Sequence, residues 1–366
     1  MAASFYRRPL PETSIAFASE EGKLLFKEAL ADGTMECFFA LSEQFHTQSE
    51  PAFCGLGSLV MALNALAIDP GRMWKGPWRW FDETLLDCCV PLDVVKQRGL
   101  TLSEIACLAS CNGARAERVN ADRAPASALR AAVSRASRLS AGGVLIAAYN
   151  RGSLGQTGSG HYSPIAGYHQ GRDLALVLDV ARFKYPPHWI PIETLHQAML
   201  AIDGDTGRSR GWLWLTAAED ARPLFVTLGV PVAGWRTFFE GLRAEVEEAS
   251  RHAPADIVWA KALADMAPSL ADIVRPAARA LHGSLAPEHA RAVEALLGEI
   301  RNTTTFRAVS TALRERAPES AQIDPEVVAL VALVLMGDSR TELGPNLERE
   351  VCALDRQLKA VACAVP

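Results

Sequence analysis

No stretch of the 366 residues is long and apolar enough to span a bilayer. The longest uninterrupted run, VVALVALVLM from Val327 to Met336, stops well short of the about 20 residues a crossing helix needs, and it reads as a buried helix. Positive charge is not in excess either. Lys and Arg number 37 against 42 Asp and Glu, for a formal net charge of -5, which argues against the basic stripe of a nucleic-acid binder. The opening MAASFYRRPLPETSIAFASEEG is interrupted by Arg, Pro and Glu where a secretory leader has its apolar core. A cytoplasmic location is therefore expected, in which the eight cysteines stay reduced. Internal repeats and long low-complexity segments are absent.

What the chain has is material for a large core: 49% of its residues are hydrophobic, and its length predicts two domains. Composition changes near residue 220, placing one domain at 1–220 and another at 221–366. The first mixes helices, glycine-rich turns and strands, an α+β pattern. A helix is expected from about Cys54 to Ala67, ending at Asp69-Pro70-Gly71. Another begins at TLSEIACLASCNG, where Thr101 and Glu104 have capping-box spacing and Gly113 can close the end. GGVLIAAYN, GHYSPIAGYH and LALVLDVARF read as strands, the last two joined as a hairpin around Gln170-Gly171-Arg172. Beyond residue 220, Ala, Glu, Arg and Leu dominate at helical spacing, as in WRTFFEGLRAEVEEASRH and PEHARAVEALLGEIRNTTTFRAV. That part is expected to be all-α.

Chemistry concentrates around QSEPAFCGLGSLVMALNAL. Cys54 stands where an apolar helix begins, and unpaired N–H groups with the helix dipole favour a thiolate there. Gly55 and Gly57 are expected to keep the approach clear of bulk. Gln48, upstream, is a donor suited to an oxyanion hole beside the Cys54 N–H. His161 opens a strand after TGSG, and Asp179 lies on the next one. With a three-residue hairpin loop, His161 stands opposite Ala181 and Asp179 opposite Ser163, so that both side chains share a face; a slip of one residue separates them. Sharing a face supplies a base for the thiol and a carboxylate to hold the base's tautomer. The order Gln–Cys–His–Asp is papain-like, with Asp where such proteases commonly carry Asn.

The segments TQSEPAFCGLGSL, NALAIDPGRMWKGPWRWFDETLLDCC, QTGSGHYSPIAGY and LDVARFKYPPHW resemble the phytochelatin synthase family, the glutathione γ-glutamylcysteinyltransferases, over residues 5 to 220 and in its eukaryotic, plant-like form. The resemblance implies a papain-like cysteine-protease fold for the catalytic domain, followed by a mostly α-helical C-terminal domain. It implies Cys54 as nucleophile, His161 as base, Asp179 as its orienter and Gln48 in the oxyanion hole. It further implies a ping-pong reaction in which glutathione acylates Cys54, glycine leaves, and a second glutathione or a growing phytochelatin accepts the γ-Glu-Cys unit. Asp203 and Arg210, in AIDGDTGRSRGW, match positions that hold the donor's γ-Glu head. Arg151, Arg182, Lys184 and Tyr185 are candidates for the acceptor side.

No organic cofactor is implied. A heavy-metal ion such as Cd²⁺ or Zn²⁺ acts as activator, arriving as a metal–glutathione thiolate substrate, since soft thiolates select such ions. Cys88, Cys89, Cys107 and Cys111 are weak metal candidates: adjacent cysteines and an i,i+4 pair do not make a Cys-x-x-Cys knuckle. WKGPWRWF reads as a packed aromatic loop. Plant members are cysteine-rich after the catalytic domain, whereas this chain has only Cys352 and Cys363 there. Expected partners are glutathione and metal thiolates, without nucleic acid or membrane, and a homodimer is one open assembly state. Two rival readings stand beside transfer: a hydrolase that discharges the same acyl-enzyme to water, and a thiol protein that buffers metal.

Overall fold

The computed structural model describes residues 7–71, 73–219, 226–228, 242, 246, 253–266, 270, 274–276, 287–315, 324–337 and 342–362. The chain forms two compact units. One comprises Met1–Pro70, Trp80–Asp87 and Pro91–Ala218; the other comprises Gly71–Arg79, Cys88–Val90 and Glu219–Pro366. The second unit is therefore not a simple tail, because two short upstream segments belong to it.

The first unit is built on a seven-stranded antiparallel sheet. In chain order its strands are β1 (Ile15–Ala16), β2 (Ala114–Asn120), β3 (Val144–Asn150), β4 (Gly160–His169), β5 (Leu174–Val177), β6 (His188–Pro191) and β7 (Gly211–Ala217). Across the sheet they run β1-β6-β5-β4-β3-β7-β2. The helices are α1 (Glu20–Ala31), α2 (Glu36–Glu43), α3 (Cys54–Ala65), α4 (Leu92–Arg98), α5 (Leu102–Cys111), α6 (Ala126–Ser137) and α7 (Ile192–Leu200). Leu145, Ala147 and Tyr149 of β3 and Ile165 of β4 share a core with Leu129 and Val133 of α6 and Leu195 and Met199 of α7. Helix α3 packs against β3 and β4, and every residue from Cys54 to Leu63 is buried. Its apolar surface on all sides is what a central helix requires. Helix α5 starts with the expected capping box, in which the Thr101 side chain accepts from the Glu104 N–H and Glu104 returns a bond to the Thr101 N–H. Gly113, at φ 86°, follows its end, a conformation that suits glycine.

The hairpin between β4 and β5 departs from expectation twice, and the departures cancel. His169 pairs with Leu174, so the loop holds four residues rather than three. The left-handed residue is Asp173, at φ 53°, and not Gly171. Asp173 is held there by a fork from Arg130, with Nε and Nη2 each 2.8 Å from a carboxylate oxygen, and by the Tyr168 hydroxyl at 2.7 Å. A bulge between Ile165 and Gly167 then shifts the register by one, so that Ile165 pairs with Val177. The Leu178 N–H donates to the Pro164 carbonyl at 3.1 Å, which carries the corrected register past the end of β5. Asp179 thus lies beyond the strand proper and not on it.

In the second unit the described helices are Ala255–Asp265, Pro287–Asn302, Thr304–Arg314, Pro325–Met336 and Pro345–Ala362. The apolar run near the end is indeed a helix, buried from Val327 to Val334. Thr303 caps the helix Thr304–Arg314, its side chain accepting from the Phe306 N–H at 3.0 Å. An all-α second part is corrected by an antiparallel ladder of Val226–Leu228 with Val274–Pro276. The helix expected over WRTFFEGLRAEVEEASRH lies outside the described residues, except for Leu242 and Val246. Among the described residues, no helix is long and apolar enough to cross a membrane.

Gly211 opens β7 immediately after Arg210, and a Cβ there would fall 1.9 Å from the Val119 carbonyl oxygen. Backbone cannot move aside as a flexible side chain can, so β2 and β7 would have to separate. Gly211→Ala is expected to destabilise the protein by about 2 kcal/mol or more in urea unfolding. A loss within about 0.5 kcal/mol would mean that the two strands are not this closely joined.

Candidate active site

The first unit contains a cleft of about 690 Å³ that brings together Cys54, His161, Asp203, Arg210 and Lys184. Cys54 is the first residue of α3, so its N–H has no acceptor within the helix. The backbone N–H groups of Gly55 and Tyr162 reach its sulfur. Tyr162 follows His161 on β4, which brings the start of that strand to the start of the helix. Gly55 and Gly57 do not clear a substrate path. A Cβ at Gly55 would meet Ile105 at 2.7 Å, and one at Gly57 would meet Glu83 and His46, so both glycines admit packing neighbours.

His161 stands opposite Tyr149 in the ladder and on the same face as Ser163, whose hydroxyl lies 3.2 Å from the Tyr149 hydroxyl. The imidazole meets the Tyr149 ring edge-on at 5.7 Å. Its Nε2 is 2.9 Å from Asp179 Oδ1, which leaves Nδ1 as the nitrogen open to a thiol. Asp179 is fully buried, and Oδ1 also accepts from the Ala181 N–H at 2.9 Å. The corrected hairpin register therefore produces the shared face that a bulge-free three-residue loop would also have produced.

Electrostatics corrects the expected thiolate. Burial pushes the Cys54 thiol above its ordinary value; the N–H of Tyr162 and the charge of Arg151 oppose that push without overcoming it. Burial likewise lowers His161 to about 4. Burial thus works against charge on both the thiol and the imidazole, and the helix terminus moderates the cost of a thiolate. Asp179 behaves differently. Burial, the largest influence, works to raise it, yet His161 and Arg151 together hold it well below the usual carboxylate range.

Several expected site residues have other occupations. Gln48 is buried, and its Nε2 donates to the carbonyls of Glu50 at 2.8 Å and Pro51 at 2.9 Å. Both amide hydrogens are therefore engaged in this geometry, and an oxyanion role for Gln48 would require one of these bonds to be exchanged. The side chain instead closes the turn that leads into Cys54, and the Cys54 N–H remains as the donor. Arg151, expected on the acceptor side, is 3% exposed. Its Nη2 lies 2.9 and 2.8 Å from the two oxygens of Asp179, and Nη1 donates to Gln156 at 2.5 Å. Tyr185 is buried beneath the Arg151 guanidinium at 5.0 Å, and its hydroxyl accepts from the Thr157 N–H at 2.7 Å. Arg182 lies over the Phe45 ring at 4.7 Å and does not line the cleft. Of the four acceptor candidates Arg151 and Lys184 line the cleft; the charge of Arg151 is paired with Asp179, while the Lys184 ammonium is made easier to deprotonate first by burial and then by Arg151.

Asp203 and Arg210 do meet in the cleft. Arg210 Nη1 donates to the carbonyls of Ala201 and Ile202, both at 2.9 Å, which leaves the rest of the guanidinium lying across Gly160. A Cβ at Gly160 would stand 3.3 Å from Nη2, and one at Gly158 would stand 3.0 Å from Lys184 Nζ. The glycines of TGSG thus let two cations lie against the backbone beside His161. Sequence reasoning missed Gln156, whose Nε2 is 3.0 Å from His188 Nε2, and Glu83, a buried carboxylate that accepts from the Ser49 N–H at 3.0 Å. A polar Gln inside a glycine-rich stretch was the available signal for Gln156. Nothing local marks His188, 32 residues further along. Cys107 and Cys111 are buried on α5, while Cys88 and Cys89 belong to the second unit with sulfurs 3.9 Å apart. Among the described residues no cysteine forms a disulfide.

A thiol at a helix start, an imidazole with one open nitrogen and a carboxylate behind it make the donor set of a cysteine acyl-transfer site. Residues 5–212 match the family model described as phytochelatin synthase. The chain belongs to the phytochelatin synthase family. It is 50% identical over 245 residues to glutathione gamma-glutamylcysteinyltransferase 1 of Arabidopsis thaliana, covering 67% of this chain and 50% of that protein. It is 52% identical over 236 residues to the Triticum aestivum protein of the same name, covering 64% and 47%. To glutathione gamma-glutamylcysteinyltransferase of Schizosaccharomyces pombe it is 43% identical over 231 residues, covering 63% and 54%. The chain spans about half the length of the curated relatives it matches.

The buried imidazole gives a signed pH dependence. His161 is neutral down to about pH 4 in the fold but titrates near 6.5 when unfolded, so between these values the unfolded chain binds more protons. Stability is fully present above pH 6.5 and is lost as pH falls toward 4. His161→Gln is expected to remove roughly 3 kcal/mol of that acid-side loss in urea unfolding measured from pH 7 to 4. The similarly buried His188 remains in both proteins and cancels from the comparison. Parallel stability profiles for the two proteins would contradict a buried neutral imidazole.

Proposed function

We propose that this chain is a glutathione γ-glutamylcysteinyltransferase that makes phytochelatins, (γ-Glu-Cys)n-Gly, from glutathione. The observation that carries the reading is the cleft in which Cys54, His161 with Asp179 behind it, and the Asp203–Arg210 pair converge in a member of this family. Cys54 attacks the cysteinyl carbonyl of glutathione as its proton passes to His161 Nδ1. A thioester forms, the peptide C–N bond breaks, and glycine departs with that proton. The free amine of a second glutathione then attacks the thioester, a new amide forms, and the amine's proton returns to the sulfur through His161. The developing oxyanion is met by the Cys54 N–H. Asp203 and Arg210 match the ammonium and carboxylate of a γ-Glu head in charge. Heavy-metal ions enter as glutathione thiolates, on the substrate.

This reading includes a papain-like architecture for 1–220, a mostly helical unit over 221–366 and a cytoplasmic location. A second reading has a specific observation behind it. Arg182 and Tyr185 do not line the cleft and the charge of Arg151, at its wall, is paired with Asp179, which leaves the acceptor to Lys184, and weak positioning of an amine favours discharge to water. Purified protein incubated with glutathione and Cd²⁺ is expected to yield γ-Glu-Cys oligomers by mass, with a γ-Glu-Cys adduct on Cys54 after brief exposure. Products limited to γ-Glu-Cys and glycine would refute transfer and leave hydrolysis. Cys54→Ala is expected to abolish both; an unchanged metal response in that variant would favour the metal-buffering reading.

A further inference from the structure

The strongest unexplained feature of the site is a fully buried cation behind the base. Arg151 follows β3 and lines the cleft, and its guanidinium is bonded to the carboxylate that holds His161. One of its nitrogens bridges both oxygens of Asp179, the other reaches Gln156, and Gln156 in turn meets His188, whose Nδ1 is 2.8 Å from the Pro186 carbonyl. Below, the Tyr185 ring closes the guanidinium face. The pair is 3% and 0% exposed.

We infer that Arg151 is a positioning residue for the acylation step: it fixes Asp179 in the one orientation that bonds His161 Nε2 and balances the buried carboxylate's charge, which keeps His161 Nδ1 free to take the thiol proton. A carboxylate in this place without a counter-charge would favour a protonated imidazole. With Arg151 beside it, the cluster of Arg151 and Asp179 carries no net charge, and the imidazole remains able both to take the thiol proton and to release it to the departing amine. The other charged or titratable groups facing the pair are Tyr149 from β3, Tyr162 from β4, His188 from β6, Lys184 from the segment after β5, and Asp203 and Arg210 from the cleft wall. None of these lies in hydrogen-bond contact with Asp179 among the described residues, whereas Arg151 makes two such contacts.

The assignment of a step rests on the proposed reaction, but the electrostatic part can be read without it. The pH profile of Cys54 alkylation by iodoacetamide, followed by peptide mass, needs no glutathione. Removing a cation beside the pair raises the proton affinity of both groups, so in Arg151→Met the alkylation midpoint is expected to move up by roughly 1 pH unit or more. Arg151→Lys keeps the charge but loses the two-oxygen bridge with its link to Gln156. Its midpoint is expected to stay within a few tenths of wild type, while single-turnover glycine release from glutathione falls about tenfold or more. If Arg151→Met does not fold, Arg151→Lys alone decides through that split. A wild-type alkylation midpoint in Arg151→Met would overturn the inference. So would unchanged glycine release in Arg151→Lys with only transfer to the acceptor impaired, which is the result an acceptor-binding arginine predicts. Absence of glycine release from the wild-type protein would instead defeat the proposed reaction, leaving the alkylation result to judge Arg151.

Discussion

A buried ion pair underlies the site. Taking Asp179 and Arg151 out of water costs several kcal/mol per ion, and only close geometry with saturated hydrogen bonding offsets it. The structure meets that condition: Asp179 accepts from Arg151, His161 and the Ala181 N–H, and Arg151 is engaged by Asp179, Gln156 and the Tyr185 ring. Because breaking one partner strands the other's charge, β3, β4 and the segment after β5 are constrained to meet in one arrangement. The imidazole is held by that arrangement more than by its own strand.

Burial also sets the resting chemistry. A cysteine at a helix start is expected to ionise easily, and in this protein desolvation outweighs the helix terminus. Burial therefore favours the protonated thiol, and a change of surroundings in the cleft would ease its ionisation. The same surroundings protect the thiol. A sulfur only 9% exposed, in surroundings that disfavour its thiolate, is a poor target for stray oxidants or metal, which suits a protein whose cleft is proposed to receive metal thiolates.

The cleft is furnished by backbone economy. Glycine at 158 and 160 leaves room for Lys184 and Arg210, and glycine at 211 lets β7 lie against β2 directly after Arg210. Asp203 sits on the loop whose carbonyls, at Ala201 and Ile202, hold Arg210. A cation and an anion thus share one short hairpin-like turn, closed by the Ile202–Ser209 bridge, so the spacing between them is a property of local backbone. Lys184 reaches the same space from a different segment, the one that follows Asp179.

Much of this was legible along the chain. The capping box at Thr101 and Glu104 and the helix beginning at Cys54 are local patterns of polarity and hydrogen-bonding capacity, and neighbours in sequence suffice to read them. So is the ordered set of Cys54, His161 and Asp179, with Asp203 and Arg210 one turn apart. The hairpin was reached by a wrong path, because a bulge has no visible signature and Asp173, left-handed at φ 53°, adds a fourth residue to the loop expected around Gln170-Gly171-Arg172. What a charged or amide group touches is a different kind of question. Arg151 and Gln48 look in sequence like groups free to meet a substrate, and their partners lie at Asp179, across the sheet, and on the turn at Glu50 and Pro51. Chain composition determined that this protein would place a thiol, an imidazole and a carboxylate in order on an α+β scaffold. Only tertiary packing decided which charges are sealed inside, since desolvation and pairing depend on neighbours that sequence spacing does not name.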